Sequence, residues 1–488
     1  MMSPGTERDV ETPLIPPEYE DQKAPRQNRF QIILRVYAVS FQFLLAMAVI
    51  AAPQADIVEN IICRHLHDPE LDLTEQPLDC KREAVQSELA LVQGWGDSLI
   101  QIPGIFLALP YGIMADKCGR KPVFMLSFLG VLLSDTWVKI VYLFPDIFPI
   151  RMVWAAPIMQ VIGGGRAVGT LLTYTIIADV VPRAERTRWL MWLTAVDLMA
   201  FILGGAGGAV LMRRSSWDPL ILSSFLLILS MLTMMTIPET LPVDDKYFGE
   251  DREMGSLSSR PAIGASRASF RKLTASIRAI WTNPVIILLL VVFLLVRLST
   301  ESKSALLQYT SKRFRWDYST ASLVFTLGDI CQLLLTTVLM PLLDTYLEHR
   351  TKLSTGEKDS LLSEISCWLL VVGCFVLGIS RHPIGVIFGL ILNALGSASP
   401  VTLRSMATSL VPPSSVGSLY TAISMAQGVG GLLAGPFFAG SFHWGMVLGG
   451  HWLGLPFLLT SGFCLVASII TSCLSQTNRG RENGRVYR

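Results

Sequence analysis

Long apolar blocks joined by short polar stretches set the pattern of this chain. They lie at about residues 31–55, 87–114, 122–144, 152–178, 189–211 and 217–237, and again at about 284–303, 317–343, 361–380, 384–411, 414–440 and 452–474. As a helix, each block can cross a hydrocarbon layer of roughly 30 Å. Helices satisfy their own backbone polar groups in lipid, and the blocks do not alternate as barrel strands would. The pattern therefore predicts an all-α membrane protein with about twelve transmembrane helices.

A polar stretch, 238–283, divides these helices into two equal groups and has the mixed charged, Ser, Gly and Pro content of a flexible linker. Lys and Arg gather in alternate loops and at both chain ends, a bias that marks the cytosolic face. Glycine-rich stretches fall in the fifth helix of each group, as in transporters built from repeats. We expect a disordered cytosolic N-terminal segment (1–30), an N-terminal bundle (31–237), a cytosolic linker (238–283), a C-terminal bundle (284–474) and a cytosolic tail (475–488).

Composition narrows the function classes. The chain has 488 residues, of which 51% are hydrophobic and 16% charged, whereas soluble proteins carry roughly a quarter charged residues. A net charge of +2 gives no basis for nucleic-acid binding. We find no phosphate-binding loop and no catalytic or metal-ligand constellation, so neither an enzyme nor a cofactor is expected. Cys63 and Cys80 flank a polar loop and either form a disulfide outside the membrane or stay free.

The most informative run lies between the second and third apolar blocks, from Gly112 to Lys121. It places Asp116, Arg120 and Lys121 at a membrane edge. Gly112 leaves room for close helix contact, and Gly119 permits a tight turn. The charges are able to form ion pairs that open and close.

This run resembles the G-x-x-x-D-x-x-G-R-[KR] signature of the major facilitator superfamily. The segment from Ala178 to Arg188 is similar to the D-x-x-P-x-x-x-R segment that follows helix four in that family. The resemblance implies two pseudo-symmetric six-helix bundles, with Arg120 paired to Asp179, Arg186 nearby and Asp116 close to the start of helix eleven. Under the alternative reading, the charges only obey the positive-inside rule. One departure is Gln160, which stands where the family expects an arginine ahead of Gly163–Gly165.

Ionisable and polar residues at mid-depth are the candidate proton or substrate site, because burying them unpaired is costly. Asp135 and Lys139 are expected to pair locally, while Asp56, Glu59 and Asp97 are expected to be solvated at the helix ends. For the mid-depth residues the alternative is structural pairing, Arg166 with Asp197 or Arg297 with Asp329. The candidates are Arg166, Asp197, Arg297, Glu301, Asp329 and Gln427.

These features predict a secondary active transporter, similar to the fungal efflux type, that exports a small amphipathic organic compound in exchange for protons by alternating access. Two alternatives stay open: proton-coupled uptake of a nutrient or organic anion, and a non-transporting receptor of the same fold. The expected partners are the organic substrate, protons and the lipid bilayer, with the protein acting as a monomer. We expect the plasma membrane rather than the vacuole, with both termini in the cytosol.

Overall fold

The computed structural model describes residues 26–66, 79–182, 185–240, 284–340, 342–343, 346, 355–409 and 416–486. Most of the predicted N-terminal segment and nearly all of the predicted linker lie outside these residues. The last helix continues to Val486, so most of the predicted tail extends that helix.

Within the described residues, the N-terminal half contains eight helices. They are α1 (Arg26–His65), α2 (Glu83–Leu99), α3 (Ile102–Cys118), α4 (Arg120–Leu143), α5 (Ala156–Met159), α6 (Gly165–Val180), α7 (Arg186–Met212) and α8 (Trp217–Met235). Two 3₁₀ turns, Ile150–Ala155 and Ile162–Gly164, flank α5.

The described residues of the C-terminal half form eight further helices. They are α9 (Pro284–Thr300), α10 (Ser302–Phe314), α11 (Tyr318–Leu334), α12 (Thr355–Ile379), α13 (Pro383–Gly396), α14 (Ser399–Ser409), α15 (Val416–Leu448) and α16 (Leu455–Val486). A π-helical turn, Leu335–Leu339, continues α11, and a 3₁₀ turn, Gly450–Gly454, precedes α16.

Ten of the helical segments are long and apolar enough to cross a membrane, and the number rises to twelve if each of two bent pairs is one span. This count of spans applies to the described ranges, which contain helices and no strand. The all-α class and the span count predicted from the apolar blocks are therefore confirmed.

The fourth predicted span is broken, which the apolar pattern did not indicate. Its two parts, Ile150–Met159 and Ile162–Val180, meet at 99°. Three successive glycines at the break, Gly163, Gly164 and Gly165, have φ angles of 80°, 75° and 64°. Residues with a Cβ are disfavoured in that region, so the glycine run is what permits the bend.

The first helix ends about ten residues later than predicted. It continues past residue 55 to His65, because Ile57, Val58, Ile61 and Ile62 pack into a core and are no more than 6% exposed. Glu59 is carried into that core on the same helix.

Three of the hydrophobic cores show how the two bundles are stabilised and joined. One belongs to the N-terminal bundle and includes Phe124, Phe128 and Leu172. Another belongs to the C-terminal bundle and includes Phe293 and Leu403. The third joins the bundles where Val58 and Leu89 meet Leu307, Tyr318 and Ala321. We call this end of the molecule, which carries Cys63 and Cys80, the disulfide end; the opposite end, with Asp116 and Arg120, is the signature end.

Candidate functional site

The turn between α3 and α4 holds the signature charges. Gly119 has a φ of 104°, and a Cβ there would lie 2.5 Å from an oxygen of Glu239. This left-handed residue lets α4 begin immediately at Arg120. The Arg120 guanidinium forms an ion pair with Asp116, four residues earlier, and its Nε lies 3.2 Å from Oδ2 of Asp179 on α6. The structure thus brings together the Arg120 and Asp179 that the family resemblance paired.

Glu239, which follows α8, is a member of this cluster that the sequence reasoning missed. Its carboxylate accepts the backbone N–H groups of Arg120 at 2.8 Å and Lys121 at 3.1 Å. Those groups open α4 and have no partner within the helix, so the glutamate acts as an N-cap supplied by a distant segment. The Lys121 ammonium donates to the Met235 carbonyl at 2.6 Å. In the sequence, this role of Glu239 is indicated by the position of its carboxylate directly after the sixth apolar block.

Three other expectations at the signature end can be compared with the structure, and their outcomes differ. Arg186 donates from Nε to the Val181 carbonyl at 3.2 Å, which ties the start of α7 to the end of α6. The space argument for Gly112 is wrong in this conformation, because an added Cβ would meet only Leu171, at an ordinary 3.7 Å. The residues at which Asp116 was expected to meet helix eleven, near 414–415, lie outside the described ranges.

Asp197 lies half-buried on α7, and its Oδ1 accepts a hydrogen bond from Ser40 of α1 at 2.7 Å. It does not pair with Arg166, which is exposed on α6. The proposed Arg166–Asp197 pair is therefore wrong: Asp197 is bonded to Ser40, whereas Arg166 is exposed. Asp329 is half-buried on α11.

Arg404 on α14 is a cationic residue that the sequence analysis did not single out. Its guanidinium donates to Oε1 of Gln427 on α15 at 2.9 Å, and its buried Nε has no hydrogen-bond partner within the described part of the chain. Tyr174 of α6 lies within electrostatic range of both Arg404 and Asp197. Gln427, a predicted site residue, thus joins two helices of the C-terminal bundle. An arginine inside an apolar block was the signal for Arg404.

Arg297 and Glu301 form an ion pair four residues apart, at the bend between α9 and α10. The alternative pairing of Arg297 with Asp329 stays a prediction. Glu301 shares a cavity of about 30 Å³ with Asp97 and Gln93 of α2 and Gly435 of α15. That volume has room for water and not for an organic molecule. Asp97 is exposed at this cavity, so the two bundles place two carboxylates around one small polar space.

Among the described residues, polar contacts between the bundles concentrate at the disulfide end. Glu59 was expected to be solvated, and that is wrong: it is 5% exposed. Its carboxylate binds the Lys81 ammonium at 2.8 Å, the Gln86 amide at 3.0 Å and the Tyr318 hydroxyl. Cys63 and Cys80 form a disulfide beside this cluster. The longer first helix explains the burial, because it carries Glu59 between both bundles.

Two further sets of contacts stabilise the N-terminal bundle. Asp135 pairs with Lys139 at 2.5 Å, as expected, and Ser223 and Ser224 of α8 also accept hydrogen bonds from this ammonium. Gln160 stands where the family expects an arginine; it is 3% exposed and donates to Ser134 at 3.2 Å. An uncharged amide here fastens the broken fourth span to α4.

Two helical bundles, apolar outside and joined around a polar interior, define a multi-pass integral membrane protein. Residues 83–301 match the Major Facilitator Superfamily. The efflux pump ustT of Aspergillus flavus is 32% identical over 415 residues, covering 83% of this chain and 81% of that protein. The MFS efflux pump atnC of Emericella nidulans is 29% identical over 459 residues, covering 91% of this chain and 87% of that protein. The chain belongs to the Major Facilitator Superfamily.

A solved structure agrees on the fold. A D-xylose–proton symporter aligns with a TM-score of 0.65 at 13% identity, covering 91% of this chain and 97% of that one. The fold predicted for this family is thus confirmed. The family match and the similar efflux pump make the protein a membrane transporter rather than an enzyme.

Proposed function

We propose that this transporter exports a small amphipathic organic compound in exchange for protons by alternating access. The observation that carries the proposal is the asymmetry of its contacts. At the disulfide end, Glu59 and Lys81 of one bundle contact Ser311 and Tyr318 of the other. At the signature end, Arg120 contacts Asp116, Asp179 and Glu239, which all belong to its own bundle. This arrangement supports a state that is closed at one end, from which the bundles rock to close the other.

Orientation follows from two independent arguments. Disulfides persist in oxidising compartments, so the Cys63–Cys80 end faces outward. The loops at the signature end carry Lys117, Arg120 and Lys121, as cytosolic loops do. Both termini then lie in the cytosol, and the described conformation is open towards it. We place the protein in the plasma membrane, where export removes a compound from the cell.

Export is supported by the relatives, since two that cover most of this chain carry the name efflux pump. For proton coupling, Asp197 is the strongest candidate. Its recorded hydrogen bond comes from a hydroxyl, Ser40, whereas Asp135 and Asp179 each have a cation beside them. A carboxylate without a cation is costly to keep charged in a membrane interior, which suits it to bind and release a proton.

Arg404 supports a choice of substrate chemistry. Its guanidinium bonds to Gln427 and lies within electrostatic range of Tyr174 on α6, so it is a positive group near the N-terminal bundle. Arginine stays charged and binds planar acceptors, so we propose that the exported compound carries a carboxylate or another strong acceptor on an apolar frame. The same feature would serve uptake of an organic anion, and direction separates the two: cells lacking the protein accumulate an exported compound and are depleted of an imported one.

The test of coupling begins with an untargeted comparison of metabolites in cells with and without the protein. The compound found is then loaded into vesicles containing the purified transporter, with and without an imposed pH gradient. We expect uphill accumulation driven by the gradient, lost in Asp197→Asn while downhill exchange survives. The control is Asp218→Asn, which changes a carboxylate that pairs with exposed Arg214 at the disulfide end. Transport that ignores the pH gradient would reduce the protein to a facilitated-diffusion carrier.

A further inference from the structure

The geometry at the disulfide end points to a specific outer gate, and we infer that Glu59 is its central charge. The inference rests on the alternating-access function proposed above. The Glu59 network is defined by three residues of the N-terminal bundle and its loop, Glu59, Lys81 and Gln86, and three of the C-terminal bundle, Gln308, Ser311 and Tyr318.

Each residue of the network forms a contact between the bundles or holds a residue that does. Lys81 donates to Glu59 and, at 2.7 Å, to the Ser311 hydroxyl, and its ammonium lies 4.5 Å from the centre of the Tyr318 ring. Gln308 donates to the backbone carbonyl of Gln86 at 2.6 Å. Ser311 donates in turn to the Trp316 carbonyl at 2.7 Å. One buried carboxylate thus organises hydrogen bonds from both bundles.

The disulfide positions the lysine of this network. Cys63 lies one helical turn after Glu59 on α1, and Cys80 directly precedes Lys81. The backbone carbonyl of Lys81 accepts a hydrogen bond from Lys312 of α10 at 2.9 Å, so this short segment is also held from the other bundle. The disulfide therefore helps to keep the Lys81 ammonium within reach of Glu59.

The network stabilises one state of the transporter selectively. When the bundles separate at this end, water replaces each lost contact to Glu59 and Lys81, as it does for charges at a surface. When they are closed, the Glu59 carboxylate is buried and Lys81 is partly buried, so the pair depends on its partners. Removing the carboxylate leaves the partly buried Lys81 charge without its partner in the closed state alone. The variant therefore shifts the population towards the outward-open state.

The experiment measures access to the space beneath the gate without any transport. Gln93 lines the small cavity that also contains Glu301. Gln93→Cys is introduced into a full-length chain whose free cysteines are replaced by alanine and whose disulfide is kept. A membrane-impermeant maleimide is added outside intact cells. We expect Glu59→Gln to raise the labelling rate about tenfold, the size expected for losing a charged hydrogen-bond partner.

The matched control is Glu88→Gln. Glu88 also lies on the disulfide end and pairs with an arginine, Arg151, at 2.8 Å, but both belong to the N-terminal bundle. Equal labelling of the Glu59 and Glu88 variants would overturn the inference. Tyr318→Phe removes one hydroxyl from the network, and we expect it to raise the labelling rate several-fold. This variant tests the gate role of the network if Glu59→Gln does not fold.

The disulfide is tested with Cys63→Ser/Cys80→Ser in the same reporter chain. We expect faster labelling than in the parent, and a smaller further effect of Glu59→Gln, because Lys81 is no longer held beside it. An unchanged Glu59→Gln effect would show that the disulfide does not position the lysine. Since no pH gradient or substrate is used, these outcomes stand apart from the coupling experiment.

Discussion

The closest crossing between the bundles gives a sharp prediction at Gly435. A Cβ at this position on α15 would lie 1.8 Å from the carbonyl oxygen of Gly94 on α2, and a Cβ on Gly94 would lie 2.5 Å from the carbonyl oxygen of Gly435. Ordinary contacts begin at 3.4 Å. Gly435→Ala therefore forces the two helices apart by about 1.6 Å, the difference between these distances, wherever the disulfide end is closed.

Forcing backbone shifts in a packed interface costs about 1–3 kcal/mol. Because that cost falls on the closed state, the ratio of closed to open protein should drop by roughly 5- to 150-fold. The control is Gly440→Ala on the same helix, where an added Cβ meets nothing within 4 Å.

The assay follows the closed state through Ser87 and His443, which form a hydrogen bond between α2 and α15. Ser87→Cys and His443→Cys are joined by a short bismaleimide in the chain that lacks other free cysteines. We expect cross-linking to slow in Gly435→Ala and to be unchanged in Gly440→Ala. Equal rates in the two variants would refute the argument that this crossing is tight only in the closed state.

Three further predictions concern the signature end. Gly119→Ala should lower the melting temperature, because a left-handed φ and a contact with Glu239 both oppose a side chain there; Gly112→Ala should leave it unchanged. Glu239→Ala should lower the unfolding free energy by about 1 kcal/mol, the usual value of a lost N-cap; a circular-dichroism melt that matches the parent would contradict this. Asp116→Asn should slow turnover while substrate binding stays within about twofold, because the charge pair with Arg120 acts in rocking rather than in recognition. Unchanged turnover in the vesicle assay would argue against a gating role for Asp116.

Much of the architecture was predictable from local features of the chain. Apolar blocks of about 20 residues can satisfy their backbone in lipid only as helices, so their number gave the span count. The spacing of Asp116, Gly119 and Arg120 indicated the family. The tight turn and the charge pair of this signature involve residues no more than four apart, so both are visible in the sequence. The Asp135–Lys139 pair was predictable for the same reason.

The candidate site was less predictable, because it depends on which helices meet. Glu59 and Asp56 are similar on sequence grounds, yet Glu59 is buried by residues from α2 and α11 that lie far along the chain. Glu239 reaches the start of α4 from more than a hundred residues away. The Arg297–Glu301 pair is an exception, because its two residues lie only four apart in the chain.

The sequence by itself determined the all-helical membrane class, the division into two bundles and the signature turn, since each depends on periodicity, block length or a few adjacent residues. Tertiary structure alone decided the break at Gly163–Gly165, the burial of Glu59 and the polar contacts between the bundles. The physical reason is that a charge in a membrane protein is stabilised by its neighbours in space, and those neighbours are fixed only when the helices pack.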